Sequence, residues 1–182
     1  MADIDKFGSQ LLEQAKRFLE KARTAPEPSA KVAFLHAAVL LGFSALEAQV
    51  NSIAADFLTL EDLPLHERSM LAEKRVEFEH GEFHLGNKLQ IYRLDDRILF
   101  LCSRFRKGKT AIDRKAAYWS QFIAATDLRN GLTHPKAPSV VNEASVEQAL
   151  TAIITLLDVI YRRVYGARYP AYLRGLQSTL SF

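Results

Sequence analysis

An all-α fold, an antiparallel bundle of about five to six helices, is what this chain predicts. Three observations carry that expectation. Apolar residues recur at spacings of three and four through long segments. The interruptions between these segments are short and hold proline, glycine or small polar residues. No run alternates apolar and polar residues between glycine turns as a sheet would require. A length of 182 residues suits one domain spanning 1–182, with an N-terminal helix over 3–24, a central region at 113–166 and a tail at 167–182.

The first helix follows from Ile4, Phe7, Leu11, Ala15, Phe18 and Ala22, all on one face. "TAPEPSA" breaks the pattern, and Ser29 is expected to cap a second helix running from about Ala30 to about Leu58. Pro64 suits the first turn of a third helix over "LHERSMLAEKRVEFEH", frayed near Gly81 and Gly86. A fourth helix covers "RLDDRILFLCSRFRK", and Asp113 is expected to cap the fifth, which carries Tyr118, Phe122, Ala125 and Leu128 on one side. Val146, Leu150, Ile153, Leu157, Ile160 and Val164 form the stripe of a sixth before Gly166.

Composition narrows the class. Hydrophobic residues at 48% and charged residues at 25% fit a globular chain. A formal charge of +3 permits an anionic partner without requiring one. Cys102 is the single cysteine, which excludes an internal disulfide and a cysteine-based zinc site and fits a reducing, cytoplasmic setting. "MADIDKFGSQ" lacks the apolar stretch of a signal peptide. The most apolar run, "VAFLHAAVLLGFSALEAQV", contains His36 and Glu47 and reads as a buried helix rather than a membrane span.

Several motifs fall short. "SRFRKGKT" ends like a phosphate-binding loop, but Ser103 stands where that loop needs its first glycine. His80 and His84, four apart in "EHGEFH", would share a helix face and could hold zinc, although not in metalloprotease order; the ordinary reading is two exposed histidines. Cys102 lies in an apolar run and reads as a core thiol. No metal or cofactor is expected.

The second helix carries two polar clusters. Val32, Leu35, Val39, Leu46, Ile53 and Phe57 mark its core stripe, and Lys31, Gln49 and Asp56 a solvent face. His36, Glu47 and Asn51 form another cluster, either a second wet edge or the lining of a cleft or subunit interface. The cleft reading makes Glu47 a supporting residue.

The stretch "DLRNGLTHPK", Asp127 to Lys136, has both a structural and a chemical reading. Gly131 can take the left-handed conformation that stops a helix, and Pro135 prevents its resumption. Arg129 and His134 suit the negative end of a helix dipole. The same pair suits RNA cleavage, in which the 2′-hydroxyl attacks the adjacent phosphate. A histidine moves the proton, and an arginine clamps the phosphate without titrating. No metal is needed, and two copies across a two-fold axis would supply both an acid and a base.

"RNGLTH" resembles the signature of HEPN-domain proteins, compact all-α domains named for higher eukaryote and prokaryote nucleotide binding. Their motif is an Arg, often followed by a polar residue, then a His after four to six intervening residues. Arg129, Asn130 and His134 match it, ahead of a final long helix as in the family. The likeness in helical order covers about Ala30 to Gly166. It implies a metal-independent endoribonuclease acting as a dimer, of the toxin or phage-defence type, with an antitoxin or other regulatory protein as partner. Arg129 would then contact the scissile phosphate, His134 would move the proton, and Asn130 would orient one of them or bond the phosphate. Other members of the family are non-catalytic binding modules, which is the alternative here.

RNA is the expected partner, and two basic regions could meet it. "SRFRKGKTAIDRK" concentrates Arg104, Arg106, Lys107, Lys109, Arg114 and Lys115, a phosphate-binding surface or simply a solvated loop. "YRRVYGARYPAYLRG" mixes Tyr161, Tyr165, Tyr169 and Tyr172 with arginines, able to stack on bases or to cover apolar surface at the bundle edge.

Overall fold

A computed structural model describes residues 2–108, 111–138 and 140–182. It is a helical bundle with six α-helices and one small hairpin among the described residues. The elements are α1 (Ala2–Thr24), α2 (Pro28–Phe57), α3 (Leu65–Ala72), β1 (Lys74–Glu79), β2 (Glu82–Leu89), α4 (Leu94–Arg104), α5 (Ala117–Thr133) and α6 (Glu143–Val164), followed by a single 3₁₀ turn at Tyr172–Arg174.

Helix α6 forms the spine. Its stripe of Val146, Leu150, Ile153, Leu157, Ile160 and Val164 is buried, and Ala149, Ala152, Ile154 and Leu156 widen the covered surface beyond one face. A capping box starts it: the Asn142 side chain accepts from the Ser145 N–H, and the Ser145 hydroxyl accepts from the Asn142 N–H. Helix α2 runs parallel to α6, with Lys31 paired to Glu143 at one end and the Tyr165 hydroxyl donating to Asp56 at the other. The two approach closely at Gly42, where a Cβ would stand 2.5 Å from Leu150 Cδ2. Helix α1 runs against this pair, its Arg23 reaching Glu143 and Glu147. Helix α5 also packs on α6, and Gln121, Ala125 and Leu128 line one shallow depression together with Ser145, Gln148 and Ala149.

Both α2 and α6 are long and apolar enough to cross a membrane by length and composition. In the bundle each lays its apolar stripe on the other helices, the packing expected of core helices.

The segment 167–182 folds back on α1. Glu13 accepts from the Thr179 N–H at 2.7 Å and the Thr179 hydroxyl at 2.9 Å, and pairs with Arg174 at 2.9 Å. It also accepts from Lys16, whose side chain is fully buried. Burial alone would raise the Glu13 carboxyl, but the Thr179 N–H, Lys16 and Arg174 together hold it below the usual carboxylate value. Burial lowers Lys16 from its ordinary value while Glu13 works to keep it charged.

Several local expectations are corrected. The third helix ends at Ala72, where Glu73 takes a left-handed φ of 49°, and residues 74–89 form an antiparallel hairpin instead of continuing helix. Val76 and Phe78 alternate with Glu77 and Glu79, and His80 and Gly81 at the turn both have positive φ, as a tight two-residue hairpin turn requires. His80 and His84 therefore share no helix face. At the start of α2 the cap is Glu27, without a side-chain bond, and Pro28 presets the first turn in place of a Ser29 cap. Ala116, not Asp113, caps α5; the Asp113 carboxylate instead accepts from the Lys115 N–H. Ile4 and Phe7 are exposed on α1, as Val32 is on α2. Gln49, assigned to a solvent face, is completely buried, donating to the Asp5 carbonyl and accepting from the Tyr161 hydroxyl.

Candidate functional site

The site is built on α5 and the face of α2 beneath it. Helix α5 does not stop at Gly131. It runs on to Thr133, and Gly131 is not among the residues with positive φ; His134 is the C-cap, its N–H donating to the Asn130 carbonyl at 2.9 Å. No backbone device at Gly131 is needed to end the helix, because Pro135 follows at once and cannot continue it.

Arg129 turns inward toward α2. Its guanidinium carbon lies 5.1 Å from the centroid of the Phe43 ring, and Nη2 stands 4.0 Å from the Glu47 carboxylate. Phe43 and Glu47 are one turn apart on α2, so one helix face presents both partners. The arginine side chain is 24% exposed, while its Nε is buried and meets no acceptor among the described residues. The guanidinium is thus anchored by a ring and a distant carboxylate with hydrogen-bonding capacity left over.

One turn further along α2, Asn51 accepts from Arg97 at 2.8 Å, and Arg97 pairs with Glu73 at 2.9 Å. Burial lowers Arg97 from its ordinary value, with Glu73 and then Glu47 opposing that effect. Glu47 therefore sits in the field of two arginines. The polar cluster on α2 separates into three: Glu47 faces Arg129, Asn51 faces Arg97, and His36 stays half-buried with Nε2 unpartnered among the described residues.

His134 lies exposed at the helix end, and its imidazole makes no hydrogen bond within the described residues. A separation of five residues puts its Cβ direction roughly 140° around a regular helix from that of Arg129. Within one chain the two side chains leave α5 on different sides. Asn130, also exposed, is four residues from His134 and shares its side.

A cleft of about 410 Å³ opens beside Arg129 and Asn130, between α5 and the start of α4. Its walls are Arg93, Leu94 and Asp95 on one side and Phe122, Ile123, Thr126 and Asp127 on the other. Sequence reasoning missed this cleft. Its only advance signal was the spacing of Ile123, Asp127 and Asn130 on one side of the fifth helix.

The basic cluster lies elsewhere. Arg104 pairs with Glu67 at 2.9 Å, and Lys107 is bound to the end of α6, its N–H donating to the Arg163 carbonyl and its ammonium to the Tyr165 carbonyl. Leu128, next to Arg129, lines a depression that also includes Ser145 at the start of α6. Arg163 is about 27 Å away along that helix, at 1.5 Å per residue. Closeness in sequence misleads here, because α5 carries the chain from one end of the bundle to the other. Arg106 is exposed in the same loop, and Lys109 lies outside the described residues. Three of the four tyrosines are engaged within the fold: Tyr169 is 2% exposed with its hydroxyl pushed up to about 12 by burial, and the Tyr161 and Tyr165 hydroxyls are bound to Gln49 and Asp56.

On the hairpin, Glu77, Glu79 and His84 bring ligating atoms within 4.8 Å of one another. Lys88 already pairs with Glu77 at 3.2 Å, an ordinary surface arrangement. Cys102 is 1% exposed, and burial pushes its thiol up to about 12, the state of an unreactive core residue.

No family model, curated protein or solved structure matches the chain.

Proposed function

We infer that the chain is a HEPN-type, metal-independent endoribonuclease that cuts single-stranded or looped RNA through its own 2′-hydroxyl. One observation carries the reading. Arg129 is anchored beside an open cleft with unspent hydrogen-bonding capacity, while His134, at the end of the same helix, is spent on no structural bond within the described residues.

In this reading Arg129 clamps the scissile phosphate and stabilises the charge that builds on it. His134 takes the 2′-hydroxyl proton or delivers one to the leaving 5′-oxygen, and Asn130 bonds the phosphate between them. Glu47 is a positioning residue that acts through Arg129. Each chain supplies one such histidine, so a homodimer with the two motifs facing one groove supplies both an acid and a base. A nuclease of this type in the cytoplasm needs restraint, and a regulatory protein, such as an antitoxin in a toxin–antitoxin or phage-defence pair, is the partner that fits.

A second reading, a non-catalytic binding module, draws on the contacts that Arg129 makes with Phe43 and Glu47, which give it a structural use. The experiment that separates the two is cleavage of single-stranded RNA in EDTA by the parent protein, His134→Ala and Arg129→Lys, with light scattering on each. Ribonuclease function requires a dimeric parent that cuts and two folded variants that do not. A folded parent without cleavage would favour the module.

A further inference from the structure

We propose that the cleft between α5 and the start of α4 is the nucleobase pocket of this site and that it selects guanine through Asp127. The proposal rests on the ribonuclease reading and adds a substrate preference to it. At about 410 Å³ the cleft has room for a purine, and it opens directly beside the Arg129 and Asn130 that would hold the phosphate. Its lining has the make-up of a base site, with Leu94, Phe122 and Ile123 as apolar surface and a few polar groups at the edge.

Those polar groups are not equivalent. The Asp95 carboxylate is already taken by Arg93, which donates to it through Nε at 3.1 Å and Nη2 at 2.9 Å. The Thr126 hydroxyl donates to the Phe122 carbonyl. Asp127 is exposed on the cleft wall and accepts no hydrogen bond among the described residues. A free carboxylate is an acceptor with two oxygens and no donor. Guanine is the base whose Watson–Crick edge offers two adjacent N–H donors, N1–H and the N2 amino group, and a carboxylate can accept both at once. Adenine and cytosine offer one amino donor beside an acceptor that would face the carboxylate, and uracil offers one N–H between two acceptors.

The spacing on α5 supports one continuous track. Ile123, Asp127, Asn130 and His134 are four, three and four residues apart, hence on one side of the helix. A base seated against Ile123 and Asp127 would place its phosphate toward Asn130 and the next step of the chain toward His134.

Calorimetric titration of the parent protein with the 3′-monophosphates of guanosine, adenosine, cytidine and uridine tests this. Guanosine 3′-monophosphate should bind about tenfold more tightly than the others, the discrimination expected of one bidentate pair. Asp127→Asn should erase that difference, and Arg129→Lys should weaken all four alike. Equal affinities in the parent, or a guanine preference that survives Asp127→Asn, would overturn the proposal. If the parent also cuts RNA in EDTA, either result leaves the ribonuclease reading standing. Absence of nucleotide binding together with absence of cleavage would overturn both.

Discussion

The Arg129 guanidinium sits over the Phe43 ring at 5.1 Å, so the arginine of the motif is oriented by an aromatic face from another helix. The ring fixes its plane without consuming its N–H donors, which suits the anion-binding role proposed for it. Glu47, one turn along α2, completes the hold at 4.0 Å. The pair is long and its carboxylate is about half exposed, which limits its worth to stability.

Glu47→Ala should therefore change stability by less than about 1 kcal/mol. Its effect should fall on the reaction instead, lowering the single-turnover rate of RNA cleavage several-fold by loosening Arg129. Thermal melting beside single-turnover kinetics checks this; a large loss of stability with an unchanged rate would assign Glu47 to packing alone.

The Glu13 cluster ties residues 174–179 to α1, and its titration has a defined sign. The Glu13 carboxyl is held below its ordinary value, so its contribution is present above the unfolded value and is lost as pH falls through the folded one. Melting temperature should drop as pH is lowered below the usual glutamate range. Glu13→Gln should cost roughly 3 kcal/mol at neutral pH, because it leaves the buried Lys16 ammonium without its partner, and should flatten that acid dependence. Melting curves across pH for both proteins provide the measurement.

Gly42→Val should be among the most damaging single changes. A Cβ at this position meets Leu150 Cδ2 at 2.5 Å and Ile153 Cδ1 at 3.3 Å, so the two central helices would be pushed apart. The expected loss is about 3 kcal/mol, at the upper end of overpacking costs. Urea denaturation measures it, and a variant as stable as the parent would show that α2 and α6 pack less tightly than described.

Helical periodicity made most of the bundle legible, because each long helix buries a stripe that repeats with the turn; all six residues read as the stripe of α6 are buried. The hairpin was hidden by its composition. Lys74, Arg75, Glu77 and Glu79 are residues common in helices, and the alternation of Val76, Phe78, Phe83 and Leu85 around His80 and Gly81 was outweighed by them. Gln49 looked solvated because its partners, Asp5 and Tyr161, come from distant segments. The motif residues were visible in the sequence, and Glu47 was singled out by its place off the core stripe. Its position next to Arg129, and the separation of the basic loop from both, depend on helix directions that no local pattern encodes.

The most direct measurement is the chemistry of the cut ends. Single-stranded RNA incubated with the parent protein in EDTA should yield fragments ending in a 2′,3′-cyclic phosphate and beginning with a 5′-hydroxyl, and an exposed-surface change, His134→Ala, should abolish them while melting within a few degrees of the parent. Cleavage by His134→Ala at the parental rate, or an intact substrate after incubation with a folded parent dimer, would contradict a ribonuclease centred on Arg129 and His134.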